Sequence, residues 1–571
     1  MSRLLSPVLA LVVVLAAACT PPPHYDLIIT GGTVYDGSGA SPVVADVAVN
    51  GDRVASVGDL GSATADRTID ASGLAVAPGF INMLSWATQS LIVDGRSQGD
   101  IRQGVTLEVF GEGTSEGPLN DQMKELWLED FENFVGSPEA VAEHLGGNTV
   151  PWTTLGEYLE FLERKGISTN VASFLGAATP RVHELGFEDR APTDEELGRM
   201  TDLVRQAMEE GAMGIGSSLI YAPGFYADTD ELIALSAAAG EYGGMYISHM
   251  RSEGNALLEA VDELITISRE AGVPAEIYHL KQGGQDNWSK LDDVIERVEA
   301  AQAGGLRITA DMYTYTAGST GLDAAMPPWV QEGGYDAWAD RLRDPSIRAR
   351  VVREMVEPTN EWENLMLGAG PEGTLLVGFV NEDLRGYTGR TLAEVAAERG
   401  TTPQETAMDL VIEDGSRVQV VYFLMSEDNV KRQIAIPWVA FDSDAASMTT
   451  EPPFTNTSTH PRAYGNFARL LGKYVREEGV IPLEEAVRKL TSFPAGNLGI
   501  TDRGMLEEGY FADVVVFDPD EIADRATYED PHQYSVGVVH VFVNGTQVLE
   551  DGEHTGATPG RVVRGPGWTG G

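Results

Sequence analysis

Two short apolar runs, MYIS at 245–248 and AEIY at 275–278, each end on a histidine, His249 and His279. Between them EGNALLEAVDELITISREAG carries apolar residues at helical spacing. The pattern predicts strand–helix–strand, with both imidazoles at strand C-terminal ends. In a barrel of βα units that end is where active sites are built. Towards the N-terminus, YDLIITGGTVYDGSGASPVVADVAVNGDRVASVGDL alternates apolar and polar residues around Gly-rich turns, which predicts β-hairpins. GMLEEGYFADVVVFDP and VVHVFVNGTQVLEDGEHTG, near the other end, read the same way. Between these β-rich ends strands and helices alternate, the pattern of an α/β barrel. WADRLRDPSIRARVVREMV and TLAEVAAERGTTPQETAMDLVIED have helical periodicity and predict a helical insertion over about 330–415. It is expected beside the site mouth, either as a lid or as a packing element.

Length and charge narrow the picture. A chain of 571 residues exceeds one compact core and calls for a catalytic-sized domain plus a further unit. With 87 acidic against 39 basic residues the net charge is −48, which excludes nucleic acid as a partner because a phosphate backbone would be repelled. The first 19 residues are not expected to belong to the fold. Arg3 precedes an apolar run at 4–15 and then Ala-Ala-Ala-Cys at 16–19, the layout of a secretory signal. The run is too short for a comfortable membrane span. Ending on Cys19, it resembles a bacterial lipoprotein signal, and implies an exported protein tethered to a membrane only through a lipid on Cys19. A plain signal peptide with an incidental cysteine is the alternative. Cys19 is the only cysteine, so no disulfide and no thiolate metal ligand is expected in the mature chain.

Longer motifs sharpen the reading. LIITGGTVYDG, GLAVAPGFI and EGYFADVVVFD resemble signature turns of the amidohydrolase superfamily. GAMGIGSSLIYAPG, YISHMRSEG, ITADMYTYTAGST, HPRAYGNFARLLGKYVREEG, LTSFPAGNLG and VNGTQVLEDGEHTG resemble the D-aminoacylases, or N-acyl-D-amino-acid deacylases. The resemblance spans nearly the whole mature chain. It implies a (β/α)8 TIM-like barrel with a small β-sandwich built from both chain ends. The expected division is a signal at 1–19, the first part of the sandwich at 20–78, a metal-dependent hydrolase barrel at 79–500 and the rest of the sandwich at 501–571.

The site departs from the family in part. Where relatives carry GFIDxHxH, this chain reads APGFINMLSWATQS. Asn82 replaces the acid, and Leu84 and Trp86 stand where two metal-binding imidazoles are expected. In GVTLEVFGEGTS, Gly113 occupies the position of the family's cysteine ligand, with Glu112 just before it. A carboxylate can replace a thiolate as a ligand of zinc or another divalent ion, so Glu112 is the candidate ligand, a solvated turn acid being the alternative. Ala177, in FLGAATPR, stands where the family has a histidine. His249 and His279 match the two later ligands. Asp444, in VAFDSDAAS, matches the general acid/base, and its neighbour Asp442 is expected to raise a pKa in the pair. Arg462, in HPRAYG, matches the arginine that holds a substrate carboxylate, and Lys281 and Tyr221 are further candidates for substrate contact.

The residues kept imply one divalent ion, zinc, on Glu112, His249 and His279, because a catalytic zinc needs three protein ligands and an open position. The predicted reaction is attack of a metal-bound water on the amide carbonyl of an N-acyl-D-amino acid, with Asp444 carrying the proton. Two alternatives stand beside it: another amide substrate such as a dipeptide or cyclic amide, and a non-catalytic exported binding lipoprotein on the same scaffold. The expected partner is a small-molecule amide, and the sequence carries no reading of oligomeric state.

Overall fold

The computed structural model describes residues 22–570; the signal-like segment and Cys19 lie outside the described residues. A nine-stranded sheet joins the chain ends, with Glu553–His554, Thr546–Glu550, Val538–Val543 and Val514–Phe517 from one end. It continues through Ala75–Pro78, His24–Val34, Val43–Asn50 and Arg53–Gly58, while Thr64–Asp70 also pairs with His24–Val34. The junction is the antiparallel pairing of Val514–Phe517 with Ala75–Pro78. This β-sandwich unit has its own apolar core, including Leu27, Ile29, Val47, Val49, Val76, Val514, Val516 and Phe542.

Between the ends lie two parallel sheets. One orders Phe80–Asn82, Val105–Phe110 and Asn170–Ser173; the other orders Leu175–Gly176, Gly214–Ser218, Met245–His249, Ala275–Ile277 and Ile308–Ala310. Alternate residues face opposite sides, as strand geometry requires. Ile81, Met83, Leu107, Val109, Ala172, Phe174 and Ile247 pack into one interior. Phe80, Val105, Val171, Ile215, Tyr246, Ala275 and Ile277 face the surrounding helices. The run at 438–445 hydrogen-bonds both edges: the Ala440 amide donates to Ala310, and those of Met83 and Trp86 donate to Phe441 and Ala445.

The helix between the two histidine-bearing strands spans Leu257–Ala271 and buries Leu257, Ala260, Val261, Leu264, Ile265 and Ile267. Each large side chain buried on that stripe contributes roughly 1.5–3 kcal/mol of transfer free energy. Gly272, at φ 71°, ends the helix in the left-handed conformation that terminates helices most cheaply. The inserted region contains the helices Tyr335–Arg343, Pro345–Glu354, Leu392–Arg399 and Pro403–Asp414. It also contains the strand Thr374–Gly378, which joins Gln419–Phe423 and Ala317–Gly321 in a three-stranded antiparallel sheet. Helical periodicity alone did not disclose this strand. The region has a core of its own, with Leu322, Trp338, Leu342, Leu376, Leu410 and Val420, and Tyr221 packs against it.

Candidate active site

Glu112, His249 and His279 come together, all three buried, with one ligand atom of each within 4.8 Å of the others. Glu112 follows the strand Val105–Phe110, His249 ends Met245–His249, and His279 lies just past Ala275–Ile277. Both imidazoles meet the same carboxylate oxygen: Glu112 Oε1 is 3.0 Å from His249 Nδ1 and 3.3 Å from His279 Nε2. Ser218 donates to that oxygen at 3.1 Å. Burial alone would push the Glu112 carboxyl up; the hydrogen bonds and positive charge of the two imidazoles outweigh it and hold the group far below the usual carboxylate range. Gly113 cannot carry a cysteine in this setting. Its φ is +69°, and a Cβ there would lie 2.6 Å from Ser218 Cβ. The carboxylate that meets both imidazoles belongs instead to the residue before it, Glu112.

Glu253 is the residue the sequence reading passed over. Its Oε1 is 3.0 Å from His279 Nδ1 and 2.7 Å from Lys281 Nζ, and its Oε2 is 3.6 Å from His249 Nε2. It thus faces both imidazoles on the side away from Glu112, where an acceptor fixes tautomer and ring orientation. The available signal was its place four residues after His249 in SHMRSEG. Burial opposes its charge, but the positive groups of His249, Lys281 and His279 hold it well below the usual range. The His279 imidazole is pushed up to about 10: burial and Lys281 lower it, and Glu253, Asp444 and Glu112 together overcome them. The turn that carries Glu253 is held from the inserted region by Glu363, whose carboxylate accepts the amides of Glu253 at 2.7 Å and Gly254 at 3.1 Å. A second missed residue is Asp311, which accepts the His279 amide where that backbone takes φ 35°.

Lys281 lies 2.7 Å from His279 Nδ1 as well as from Glu253, so its ammonium is engaged within this cluster. The Tyr221 ring stands edge-on to His249 with centroids 5.4 Å apart, and the Arg417 guanidinium lies 5.1 Å from the Tyr221 centroid. Asp444 takes a left-handed φ of 44°, a strained conformation that Asp tolerates better than most residues. Its Oδ2 is 2.8 Å from Arg462 Nη1, and its Oδ1 accepts the Trp86 indole N–H at 3.1 Å. The Arg462 contact is an ion pair that leaves Nε and Nη1 buried without a hydrogen-bond acceptor. Asp442 faces the other way, into a buried carboxyl group with Asp311, and is pushed up to about 7, first by burial and further by the charge of Asp444.

The amidohydrolase family profile matches residues 148–549. A D-aminoacylase of Alcaligenes xylosoxydans xylosoxydans is 34% identical over 541 residues, 94% of this chain and 97% of the relative. The chain belongs to the amidohydrolase family. Among solved structures, a D-aminoacylase with a binuclear metal center, described by one-metal activation and second-metal attenuation, matches at TM-score 0.76 and 33% identity. The match covers 95% of this amidohydrolase and 100% of that chain. An N-acyl-D-glutamate deacylase from Bordetella bronchiseptica, complexed with zinc and a phosphonate mimic of the tetrahedral intermediate, matches at TM-score 0.76 and 30% identity, with the same coverage.

Against that background the departures have clear structural settings. Leu84 is fully buried in the interior core, and its carbonyl accepts the Asp444 amide. Trp86 is 40% exposed. Asn82 is buried, donating to Asp100 at 3.0 Å and Ser443 at 2.8 Å. Ala177 is buried and offers no ligand atom. Among the described residues, this amidohydrolase brings together one three-donor cluster, Glu112, His249 and His279, and an aspartate–arginine pair whose Asp444 acts electrostatically on His279. Two imidazole nitrogens and a carboxylate oxygen suit a divalent ion such as zinc. His249 turns Nδ1 to Glu112 and Nε2 towards Glu253, 3.6 Å away and beyond hydrogen-bond distance.

Proposed function

We propose that this protein is a metal-dependent amide hydrolase that deacylates N-acyl-D-amino acids, working with one divalent ion. It is a hydrolase of carbon–nitrogen bonds other than peptide bonds, as its D-aminoacylase and deacylase relatives are. The observation that carries the proposal is the convergence of Glu112, His249 and His279 next to Asp444. Those three residues would hold the ion, and zinc is the choice their donor set and the zinc-bound relative support. Bound there, such an ion supplies a Lewis acid for the amide carbonyl and lowers the pKa of water. A count of one is supported by Leu84 and Trp86, which offer no ligand atoms, and by the one-metal activation described for a relative.

The rest is the work of this chain's side chains. Asp444 accepts a proton from the attacking water and delivers it to the leaving nitrogen as the C–N bond breaks. Arg462, whose Nε has no acceptor and whose Nη1 is ion-paired with Asp444, receives the substrate's α-carboxylate and so sets which enantiomer presents its amide to the cluster. Tyr221, packed against the core of the inserted region and edge-on to His249, borders the cluster on that side. The barrel reading belongs to the same proposal: the 438–445 run bonds to both parallel sheets, which supports closure into a (β/α)8 barrel. So does the lipoprotein reading, in which export and a lipid on Cys19 place the enzyme at a membrane surface.

The experiment is a side-by-side screen of N-acyl-D-amino acids, N-acyl-L-amino acids and cyclic amides with zinc-reconstituted protein, wild type and Asp444→Ala. Turnover confined to the N-acyl-D set, and lost in Asp444→Ala, is the expected result. Preference for the cyclic or L-configured set would overturn the substrate assignment. A folded, metal-loaded protein that turns over none of them would leave the binding-protein reading in its place.

A further inference from the structure

We infer that Trp86 is a positioning residue for Asp444, holding the catalytic carboxylate in place through its indole N–H when substrate draws Arg462 away. The inference rests on the deacylase reading above. Among the described residues the Asp444 carboxylate has two polar partners, one on each oxygen: Trp86 Nε1 at 3.1 Å on Oδ1, and Arg462 Nη1 at 2.8 Å on Oδ2. The second is an ion pair off the N–H direction and the first is a hydrogen bond. In the proposed reaction Arg462 is also the receptor of the substrate carboxylate, so substrate and Asp444 compete for one guanidinium. Each contact it makes with substrate weakens its hold on Oδ2, the oxygen that then becomes free to take the proton of water. Trp86 does not share this conflict. Its donor is neutral and is not one the substrate's carboxylate is proposed to claim, so it keeps hold of Oδ1 when Arg462 turns to substrate.

Backbone pairing ties residues 84–86 to the same run that carries Asp444. The Trp86 amide donates to Ala445 at 3.0 Å, the Asp444 amide donates to Leu84 at 3.0 Å, and Ser85 forms a parallel bridge with Ala445. The left-handed φ of 44° at Asp444 makes such support necessary, because that backbone conformation persists only where its surroundings over-determine it. Trp86 thus occupies a position of the family's HxH motif with a group that acts on the general base in place of an ion.

The test uses zinc-loaded protein bearing Trp86→Phe, which keeps an aromatic ring and removes the donor. A second form carries 3-benzothienylalanine at position 86, which keeps the indole shape and replaces N–H by sulfur. Both should lower kcat about ten- to a hundred-fold, the scale of one hydrogen bond to a charged group. KM for the best N-acyl-D-amino acid should stay within about two-fold, because ground-state binding does not use this contact. Zinc content and thermal midpoint should match wild type, the ring being partly exposed. Wild-type kcat in either form would overturn the proposal, and so would a loss confined to KM. Failure of wild type itself to turn over any N-acyl-D-amino acid would overturn the deacylase reading and this inference together, whereas an active wild type with active donorless forms sinks this inference alone.

Discussion

Replacing Glu112 by glutamine changes one buried oxygen anion into an amide of nearly the same shape. The carboxylate is 4% exposed and lies within 3.3 Å of both imidazoles. Structural zinc sites with four protein ligands release about 10–16 kcal/mol on binding, or about 2.5–4 kcal/mol per ligand. Losing the one anionic ligand of three should therefore weaken zinc affinity by roughly a hundred-fold or more. The assay is competition of apo protein against a chelator of known affinity, with metal content after dialysis as a second reading. Wild type should retain about one equivalent under conditions that strip Glu112→Gln. A double variant, Glu112→Gln with Gly113→Cys, should not recover the ion, because a side chain at 113 meets Ser218 Cβ at 2.6 Å with φ at +69°. Undiminished affinity in Glu112→Gln would refute the assignment of that carboxylate as a ligand, and recovery by the cysteine would refute the steric argument for its loss.

Other perturbations follow from the same structure. Glu116 is pushed up to about 7, mainly by burial and further by the charge of Asp130, against hydrogen bonds from Thr88 and Trp127. Its folded pKa is raised, so it binds a proton more tightly folded than unfolded, and stability should fall as pH rises from roughly 4.5 through 7. Glu116→Gln should flatten that slope, with a higher urea midpoint than wild type at pH 8 and an equal one below pH 4.5. Arg181 and Glu231 form a buried pair at 2.5 Å between the helices Ala178–Leu185 and Thr229–Gly240. Arg181→Ala leaves the carboxylate buried and unpaired, and chemical denaturation should show a loss of about 3–5 kcal/mol. Arg462→Lys keeps the charge but not the planar fork, so KM for N-acyl-D-amino acids should rise at least about ten-fold while KM for amides lacking a free carboxylate stays near wild type.

How far the sequence carried these conclusions depends on the range of the interaction. The strand–helix–strand around His249 and His279 was legible because periodicity is local, and it appears as Met245–His249, Leu257–Ala271 and Ala275–Ile277. The β-rich chain ends were legible for the same reason. Their pairing through Val514–Phe517 and Ala75–Pro78 joins residues more than four hundred positions apart, and only the resemblance pointed to it. The short strand Thr374–Gly378 was hidden because its five residues are too few to set a period against the helices around it.

Within the site the same distinction holds. Residue types showed which imidazoles and carboxylates were present, but not which atoms they face. Lys281 reads as a free cation for a substrate until Glu253, twenty-eight positions earlier, is found against its ammonium. Trp86 reads only as a lost imidazole until its indole is found on Asp444, 358 positions later. The motif shows the two expected imidazoles missing at positions 84 and 86, yet at 86 a missing ligand and a new donor are the same substitution seen in one dimension and in three. A metal-binding imidazole is neutral, and at position 86 the chain carries another neutral group, an indole N–H that donates to the Asp444 carboxylate. An amidohydrolase that gave up the HxH pair in this way should lose metal stoichiometry before it loses catalysis.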